Sequence, residues 1–385
     1  MEIYFDNAAT TVTCKEAADM AYMIMREKYG NPSSLHNKGL EIEKEISLVR
    51  EKIAKAWGAD KSEIYFTSGG TESNNLALCG AILKGSKWGN RVITTKMEHP
   101  AVSEVLKHYE KKGVIDLQYI NVMPNGQPDL EHLKEIVNDK VILLSMMCVN
   151  NETGCVLPVK AAGDIVKKAS PRAFIHSDMV QAFGKINCRV TELGVDFASC
   201  SSHKIHGPKG VGALYIKKGV TIPTTVFGGG QEKGFRSGTE NAPSICGFGI
   251  AAEISVKTCK ENEENISKIK KILANGVINN IENCKINGEN TVSNILNITF
   301  EGLKSEILLH SLESEGIYVS SGSACSSNHP SPSSVLTAMG LSHKEIDGSV
   351  RFSFSRYNTT DEAEKCLQVL INEVPKIRRF YDRGI

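Results

Sequence analysis

The sequence predicts an α/β protein with a large domain built around a mostly parallel sheet and a smaller α/β domain. The first observation is that short apolar runs alternate with amphipathic, helix-like runs between residues 91 and 175, a pattern typical of a parallel sheet with helices on both faces. The second is the length of 385 residues, which exceeds one typical domain. We therefore expect a large domain at 15–255 and a small domain formed by 1–14 and 256–385.

The N-terminal part begins with a short strand and continues with two helices. Residues 6–11 (DNAATT) follow the strand, and helix-like periodicity covers 15–29 and about 38–57. Between the two helices, 30–34 (GNPSS) has the Gly, Pro and Ser content of a turn. These features predict two helices, joined by a turn, ahead of the first strand of the main sheet.

The segment 67–75 (TSGGTESNN) stands between a short strand at 64–66 and a helix at 76–83. Glycines at a strand-to-helix junction let backbone N–H groups approach an anion, and the helix N-terminus adds a favourable dipole. Gly70 and Thr71 at this junction therefore predict a phosphate-binding cup. The alternative is an ordinary helix N-cap, because Ser and Thr favour that position in any helix.

The alternation of strands and helices continues through the centre of the chain. Strands are predicted at 91–95, 117–120, 141–149 and 173–175, and helices at 100–112, 129–137 and 159–169. No G-x-G-x-x-G follows the first strand and no G-x-x-x-x-G-K-[ST] occurs, so neither a dinucleotide site nor a P-loop is predicted. A different phosphorylated cofactor has to be considered.

Polar clusters follow three of these strands: 98–100 (EHP), 150–154 (NNETG) and 176–181 (HSDMVQ). An aromatic nitrogen cofactor needs these residue types, because a carboxylate holds a ring N–H⁺, an imidazole stacks on the ring, and amides bind a phenolate oxygen. A single His or Asp in a loop is more often a helix cap or a solvated side chain. Because the clusters lie at the ends of successive strands, together they predict one site.

Lys204 is the candidate Schiff-base amine. It lies within 200–212, where small hydroxylated residues precede it and a Gly/Pro turn follows, just after a strand-like run at 196–199. An α/β sheet places its chemistry at such a strand end. Taken alone, a lysine among Ser and Gly is most often a surface residue, so the assignment depends on the other clusters.

The last strand of the large domain is predicted at 211–216, and a long helix at 242–281 leads into the C-terminal part. In that part, strands are predicted at 295–300, 318–320 and 350–355, and helices at 305–315 and 360–373. This mixture predicts the small α/β domain.

The segment 320–334 differs from the rest of that domain in composition. Eight of its fifteen residues are Ser, and its single cysteine is Cys325. Loops rich in Ser, Gly and Pro are mobile surface segments in which function concentrates. Cys325 is therefore a candidate nucleophile, and the alternative is a free thiol in a linker.

Composition excludes several classes of function. The 45 basic and 44 acidic residues give a formal net charge of +1, so neither nucleic acid nor a membrane surface is expected as a partner. The eleven cysteines contain no C-x-x-C pair, so no metal site is expected, and a reducing cytoplasm is the expected location. We also expect a chain without a signal peptide or a membrane span.

Taken together, these motifs resemble, nearly from end to end, the cysteine desulfurases of the fold-type I, class V aminotransferase superfamily that serve iron–sulfur cluster assembly. The segments that carry the resemblance are 4–11, 30–36, 67–75, 150–154, 176–181, 201–204, 207–210, 236–241 and 321–327. The serine-rich cysteine segment is similar to the long mobile loop of the first desulfurase group.

The resemblance implies a fold-type I transferase with pyridoxal 5′-phosphate bound to Lys204. The other implied cofactor ligands are Thr71, Ser201, His203 and Thr239 of the partner subunit for the phosphate, His99 stacked on the ring, Asp178 on the pyridine nitrogen, and Asn151 and Gln181 near the phenolate oxygen. Arg351 would clamp the substrate carboxylate with its planar fork. Cys325 would accept the sulfur, and His99 is the implied group that helps to deprotonate it.

The implied reaction converts L-cysteine to L-alanine and leaves a persulfide on Cys325. The implied partners are a second copy of the chain in a homodimer and a sulfur-acceptor protein such as an iron–sulfur scaffold or a tRNA-thiolation enzyme. Two segments depart from the family pattern: 155–158 reads CVLP where Gln-Pro is common, and 333–336 reads SSVL where Ser-His-Val-Leu is common. These departures leave the acceptor open.

Three alternatives remain. Two are a selenocysteine lyase and another class V aminotransferase. The third is a homologue that binds the cofactor or a partner without turnover, and the intact set of Lys204, Asp178, Arg351 and Cys325 argues against it.

Overall fold

The computed structural model describes residues 2–321 and 332–382, with the side chains of 380–382 left aside. Its first elements are β1 (Ile3–Tyr4), α1 (Lys15–Arg26), α2 (Asn37–Trp57), β2 (Ile64–Thr67), α3 (Gly70–Gly85), β3 (Arg91–Thr95), α4 (Pro100–Lys111), β4 (Asp116–Ile120), α5 (Leu130–Ile136), β5 (Val141–Ser145), α6 (Val159–Ala169), β6 (Phe174–Asp178), α7 (Val190–Leu193), β7 (Phe197–Ser201) and β8 (Gly212–Ile216). They are followed by α8 (Ala242–Asn280), β9 (Cys284–Ile286), β10 (Ile295–Phe300), α9 (Ser305–Ser314), β11 (Ile317–Tyr318), β12 (Ser320–Ser321), α10 (Ser334–Ala338), α11 (His343–Asp347), β13 (Ser349–Ser353) and α12 (Thr360–Asp382).

The main sheet has seven strands in the order β2-β8-β7-β6-β5-β3-β4. Strand β8 runs antiparallel to both of its neighbours, and all the other pairings are parallel. Every residue of β5, β6, β7 and β8 is buried, as expected for strands with helices on both faces. The predicted α/β class with a mostly parallel sheet is therefore confirmed.

The C-terminal part contains a four-stranded antiparallel sheet in the order β12-β13-β10-β9, and β1 pairs with β11 in parallel beside it. Ile3 and Phe5 belong to the same buried cluster as the second half of α8, β10, β13 and α12. The N-terminal strand therefore packs with the C-terminal elements. The exact division of the chain into two domains at 15 and 255 stays a prediction.

The long helix α8 connects these two parts of the molecule. Its first half contributes Ile245, Phe248 and Ala251 to the core beneath the main sheet, where it packs against α1 and α2. Its second half contributes Leu273 and Val277 to the C-terminal core, where it packs against α12. One continuous helix thus belongs to both cores.

Three predicted boundaries differ from the structure by four residues or more. Helix α3 begins at Gly70 instead of 76, because the polar residues ahead of Leu76 hide the apolar periodicity. Strand β5 ends at Ser145 instead of 149, since the buried apolar residues that follow leave the sheet and continue as coil. Helix α12 runs on to residue 382 instead of 373, with Pro375 inside it.

No helix among residues 2–321 and 332–382 combines the length and the apolar character needed to cross a bilayer.

A buried ion pair fixes the segment between β8 and α8. Both terminal nitrogens of Arg50 on α2 donate to the carboxylate of Glu232, at 2.7 and 2.8 Å, and Glu232 also accepts from the backbone N–H of Phe66 at 3.1 Å. The Glu232 side chain is only 2% exposed. A second ion pair joins Arg236 to Glu72 on α3 at 2.8 Å. The segment that carries Thr239 is therefore bonded to both α2 and α3.

We expect Arg50→Met to destabilise the protein by about 3–5 kcal/mol, because it leaves the Glu232 carboxylate buried without its cation. The matched control is Lys52→Met on the same helix, since Lys52 and Glu253 form an exposed pair that should contribute about 0–1 kcal/mol. Chemical denaturation of the two variants and the parent measures both effects. Equal stability of the two variants would contradict a structural role for the buried pair.

Candidate active site

A cavity of about 300 Å³ opens where the parallel strands end. Strand β6 ends at Asp178 and β7 at Ser201, while the segments after β3 and β5 supply His99 and Asn151. The predicted site residues that line the cavity are Gly70, Thr71, His99, Asn151, Asp178, Gln181, Ser201, His203, Lys204 and Arg351. Residues that are up to 281 positions apart in the sequence therefore meet in one place.

Two predicted residues are not placed there. Thr239 is exposed and does not line the cavity of its own chain. Cys325 lies outside the described residues, so its role stays a prediction. Within the described part of the chain, no group of three or more His, Cys, Asp and Glu side chains is arranged to hold a metal ion.

Lys204 lies at the end of the 3₁₀ turn Ser202–Lys204, directly after β7. Its Nζ donates hydrogen bonds to the backbone oxygens of Ala8 at 2.7 Å and Ala9 at 2.6 Å. The amine is therefore held in the cavity by the N-terminal segment. The sequence singled out 4–11 only as one of the segments that carry the family resemblance, and it gave no reason to pair Ala8 and Ala9 with Lys204.

Asp178 receives two hydrogen bonds from within the protein. Its Oδ2 accepts from Nδ2 of Asn74 at 2.7 Å, and its Oδ1 accepts from the backbone N–H of Val180 at 2.9 Å. Asn74 in turn lies 3.1 Å from Nε2 of His176, whose Nδ1 lies 2.8 Å from the hydroxyl of Ser145. Both donors to Asp178 favour the ionised carboxylate.

Gln181 is held through both ends of its amide. Its Nε2 donates to the Ala8 oxygen at 2.9 Å, and its Oε1 accepts from Nζ of Lys185 at 2.8 Å. Because a backbone oxygen can only accept, the contact with Ala8 fixes which end of the amide is the nitrogen. Burial, together with the charges of Lys204 and Arg351, lowers the pKa of Lys185 to about 7.

His99 caps helix α4, where its Nδ1 accepts from the backbone N–H of Ala101 at 3.1 Å and Pro100 occupies the first helical turn. Burial lowers the pKa of His99. The charge of Asp178 raises it, and the charge of Lys204 lowers it. The cap leaves Nε2 as the nitrogen that carries the proton of the neutral ring.

The end of the cavity beside α3 has the features of an anion site. No side chain caps the N-terminus of α3, and its N-cap, Gly69, has a φ of +154°, which favours glycine. A Cβ on Gly70 would lie 2.6 Å from Cγ2 of Val180, so a larger residue there would clash with the Val180 side chain. Ser201 and His203 line the same end, and burial lowers the pKa of His203 to about 4.

Arg351 on β13 is 4% exposed and lies at the opposite end of the cavity. Its two terminal nitrogens donate to Oδ1 of Asp6 at 2.7 Å and to the backbone oxygen of Asn151 at 3.0 Å. Its Nε is buried and has no partner among the described residues. A buried N–H without a partner is unfavourable, so this edge of the guanidinium is suited to an acceptor from a bound molecule.

The donor set fits a phosphorylated aromatic cofactor. An anion cup at α3, a doubly hydrogen-bonded carboxylate at Asp178 and the amine of Lys204 stand around one cavity. Sequence reasoning missed the groups that orient these side chains: Asp6, the oxygens of Ala8 and Ala9, Asn74, His176 and Lys185. Most of them lie inside segments that the sequence had singled out, but their contacts join residues that are remote in the chain.

Comparison with known proteins agrees with this arrangement. Residues 3–366 match the family described as Aminotransferase class-V. The chain is 40% identical over 380 residues to the cysteine desulfurase IscS of Clostridium botulinum (strain Hall), which covers 98% of this chain and 94% of that protein. A solved structure named NifS-like protein is 38% identical, with a TM-score of 0.91, over 98% of this chain and all of the other. A structure titled SspA in complex with cysteine is 31% identical, with a TM-score of 0.81, over 93% of this chain and all of the other.

Glu152 stands beside the cavity, next to Asn151. Its carboxylate accepts a hydrogen bond from the hydroxyl of Ser333, the N-cap of α10, which follows closely on residues 322–331. Burial raises the pKa of Glu152 to about 7, although the Ser333 hydroxyl and the charge of Arg351 lower it. The folded protein therefore binds a proton here that the unfolded chain releases near its ordinary value of 4.5.

We expect the stability of Glu152→Gln relative to the parent to rise with pH between about 4.5 and 7. Below pH 4.5, the pKa of the carboxyl in the unfolded chain, the protonated Glu152 stabilises the parent fully. As the pH rises from there toward 7, the pKa in the folded protein, the parent loses about 1.4 kcal/mol of stability per pH unit. The glutamine side chain carries no such titration. Denaturant unfolding across this range measures the difference, with the exposed Glu306→Gln as control. A constant difference between Glu152→Gln and the parent would contradict a buried carboxyl.

Proposed function

Because the chain belongs to the aminotransferase class-V family, and within it to the cysteine desulfurases, we propose that it converts L-cysteine to L-alanine and transfers the sulfur to Cys325 as a persulfide. The observation that carries this proposal is the convergence of Lys204, Asp178 and Arg351 on one cavity. In one cavity, the amine of Lys204 can attach a cofactor, the carboxylate of Asp178 can hold its ring, and the guanidinium of Arg351 can bind an amino acid.

We propose pyridoxal 5′-phosphate as the cofactor. When bound, it supplies an electrophilic aldehyde carbon and an aromatic ring that accepts electrons from the substrate. Gly70, Thr71, Ser201 and His203 would hold the phosphate, because the uncapped N-terminus of α3 offers N–H donors and a favourable dipole there. Gly70, where a Cβ would clash with Val180, places no side-chain atoms at this N-terminus, which supports the placement.

Lys204 would attach the cofactor through Nζ and then move a proton from Cα of the substrate. Its contacts with the Ala8 and Ala9 oxygens hold the amine inside the cavity while it is not covalently bound. Asp178 would keep the ring nitrogen protonated, and its two N–H donors support an ionised carboxylate. Asn151 and Gln181 would bind the phenolate oxygen, since an amide nitrogen has a second hydrogen beyond the one that Gln181 gives to Ala8.

Arg351 would bind the substrate carboxylate. Its Nε has no partner in the described part of the chain, and a carboxylate that approaches this edge would satisfy it. The contacts with Asp6 and Asn151 hold the guanidinium plane in position before substrate binds. The charge and the fixed plane of Arg351 support selection of an α-amino acid over an amine without a carboxylate.

We propose that the thiolate of Cys325 attacks the sulfur of the substrate. A sulfur–sulfur bond forms, the carbon–sulfur bond breaks with its electron pair moving to carbon, and that carbon takes a proton and becomes the methyl group of alanine. His99, whose neutral ring carries its proton on Nε2, would act as a donor in this step. It can take the thiol proton of Cys325 only after giving up its own.

We propose a homodimer in which Thr239 of the partner subunit completes the phosphate site. The phosphate end of the cavity adjoins a surface cleft that shares Gly70, Thr71, Ser201 and His203, so a second chain has access to it. Exposed apolar side chains also cluster on α1, α2 and the turn between them: Tyr22, Met25, Tyr29, Leu35 and Leu40. Such a patch is typical of a protein–protein interface.

The sulfur acceptor would be a protein, either an iron–sulfur scaffold or a tRNA-thiolation enzyme. We place the reaction in the cytoplasm, because the ten described cysteines are all free thiols and free thiols persist in a reducing compartment. A persulfide on Cys325 also needs that protection from oxidation before transfer.

We expect Cys325→Ala to lose alanine formation from cysteine by roughly 10³-fold or more, as when a covalent nucleophile is removed. The variant should keep the bound cofactor and its visible absorbance. It should also retain much of any activity on selenocysteine, because the weaker carbon–selenium bond needs less help from a nucleophile. Alanine release and the protein mass after reaction measure the outcome, with Cys284→Ala as the matched cysteine control. Alanine formation at the parent rate by Cys325→Ala would refute the persulfide step.

Two mixed dimers test whether the phosphate site is shared. In the first, one chain carries Thr239→Ala and the other Lys204→Ala, so the site with an intact lysine takes an intact threonine from its partner. We expect half the activity of the parent dimer, with parent cofactor affinity at that site. In the second, a parent chain is paired with a Lys204→Ala, Thr239→Ala chain, and its site should behave like Thr239→Ala. The reverse pattern would show that Thr239 serves its own chain.

A further inference from the structure

Three buried side chains form a continuous hydrogen-bonded chain behind Asp178. Ser145 on β5 and His176 on β6 are register neighbours in the sheet, and their side chains are 2.8 Å apart. His176 contacts Asn74 of α3 at 3.1 Å, and Asn74 contacts Asp178 at 2.7 Å. Ser145 and His176 are fully buried, and Asn74 is 1% exposed.

The hydrogens in this chain have one consistent arrangement when Asp178 is ionised. A carboxylate only accepts, so the amide nitrogen of Asn74 must face it and the amide oxygen must face His176. That oxygen cannot donate, so Nε2 of His176 carries the hydrogen. The ring is neutral, because burial lowers the pKa of His176 to about 3, and its Nδ1 therefore has no hydrogen. The Ser145 hydroxyl must then donate to Nδ1.

The opposite order of hydrogens belongs to a protonated Asp178. If Oδ2 carried the proton, the Asn74 amide would turn its oxygen toward it and its nitrogen toward His176. His176 would then carry its hydrogen on Nδ1, and Ser145 would accept it. The direction of every donor in the chain is thus linked to the charge of one carboxyl group.

We infer that His176 and Asn74 are positioning residues that keep Asp178 ionised and aimed at the ring nitrogen of the cofactor. This inference rests on the proposed function, because it concerns the ring that Asp178 would hold. The Asn74 amide nitrogen donates to Oδ2 of Asp178 at 2.7 Å, and the carboxylate is the form of the acid that accepts this bond. The proton shared with the ring nitrogen then stays on the ring, where it strengthens the electron sink.

The neighbouring residue Ser177 provides a matched control. It lies on β6 between His176 and Asp178, is equally buried, and points to the opposite face of the sheet because successive strand residues alternate. Its hydroxyl has no partner among the described residues. Ser177→Ala therefore changes a buried polar group on the same strand without touching the hydrogen-bonded chain.

The first experiment measures ¹⁵N NMR of the holoenzyme reconstituted with cofactor labelled at the ring nitrogen. Asn74→Leu and His176→Leu should reduce the protonated fraction of that nitrogen at fixed pH. They should also lower kcat by about tenfold, the lower end of the loss caused by removing an outer-shell hydrogen bond at metal sites. KM for cysteine should change little, because Arg351 is untouched. Ser177→Ala should match the parent in all three readouts.

Rescue by a conservative substitution separates positioning from packing. His176→Gln offers an amide N–H toward Asn74, so it should keep more of the ring protonation and of kcat than His176→Leu. Thermal melting checks that each variant is folded. Unchanged ring protonation in folded Asn74→Leu, or equal losses in His176→Gln and His176→Leu, would overturn the inference.

The second experiment needs neither the cofactor nor a disruptive variant. ¹⁵N NMR of the histidine-labelled apoprotein, with the His176 signal identified by its absence in His176→Gln, should show hydrogen on Nε2 and none on Nδ1. The other tautomer, or a cationic ring, would overturn the proposed order of hydrogens. Failure of the parent to bind the cofactor or to form alanine would instead count against the proposed function and would leave this readout intact.

Discussion

The contacts of the N-terminal segment 6–11 hold the two ends of the site in one frame. The carboxylate of Asp6 bonds to Arg351, and the oxygen of Ala8 accepts from both Lys204 and Gln181. The backbone N–H of Ala8 donates to the hydroxyl of Ser353 at 2.8 Å, and Thr11 bonds to the backbone oxygen of His203 at 2.9 Å. This short segment bonds both to β13 and to residues that follow β6 and β7. The distance between Lys204 and Arg351 therefore depends on it.

Some of the ionisable side chains in and around the cavity are neutral, and others are charged. Burial raises the pKa of Glu98 to about 8, and it lowers the pKa of His176 and His203 to about 3 and 4. These groups are neutral near pH 7. Asp178 has two donors directed at it, and Arg351 has an acceptor on each terminal nitrogen. Polar contacts therefore concentrate on Asp178 and Arg351, the two groups that we propose to bind the cofactor ring and the substrate carboxylate.

The sequence predicted the parallel sheet because burial on both faces leaves a direct record in apolar runs. It placed the end of β5 at 149 instead of Ser145, because the apolar run continues into buried coil. It also predicted the chemical groups of the site, such as Lys204 and Asp178, because their types are matched to the cofactor. It could not predict Asn74 as the partner of Asp178, since these residues are 104 positions apart and no periodic pattern connects them. The same holds for Ala8, which acts through its backbone oxygen, a group that every residue has.

Helix α8 has a mechanical consequence for the whole molecule. Its 39 residues span about 58 Å at 1.5 Å per residue, and buried side chains anchor it in both cores. A helix held at both ends transmits torque, so the C-terminal part cannot rotate against the sheet unless α8 bends or shifts in its packing. A change in the packing of one core therefore affects the other. We expect the two parts to unfold together and not as independent domains.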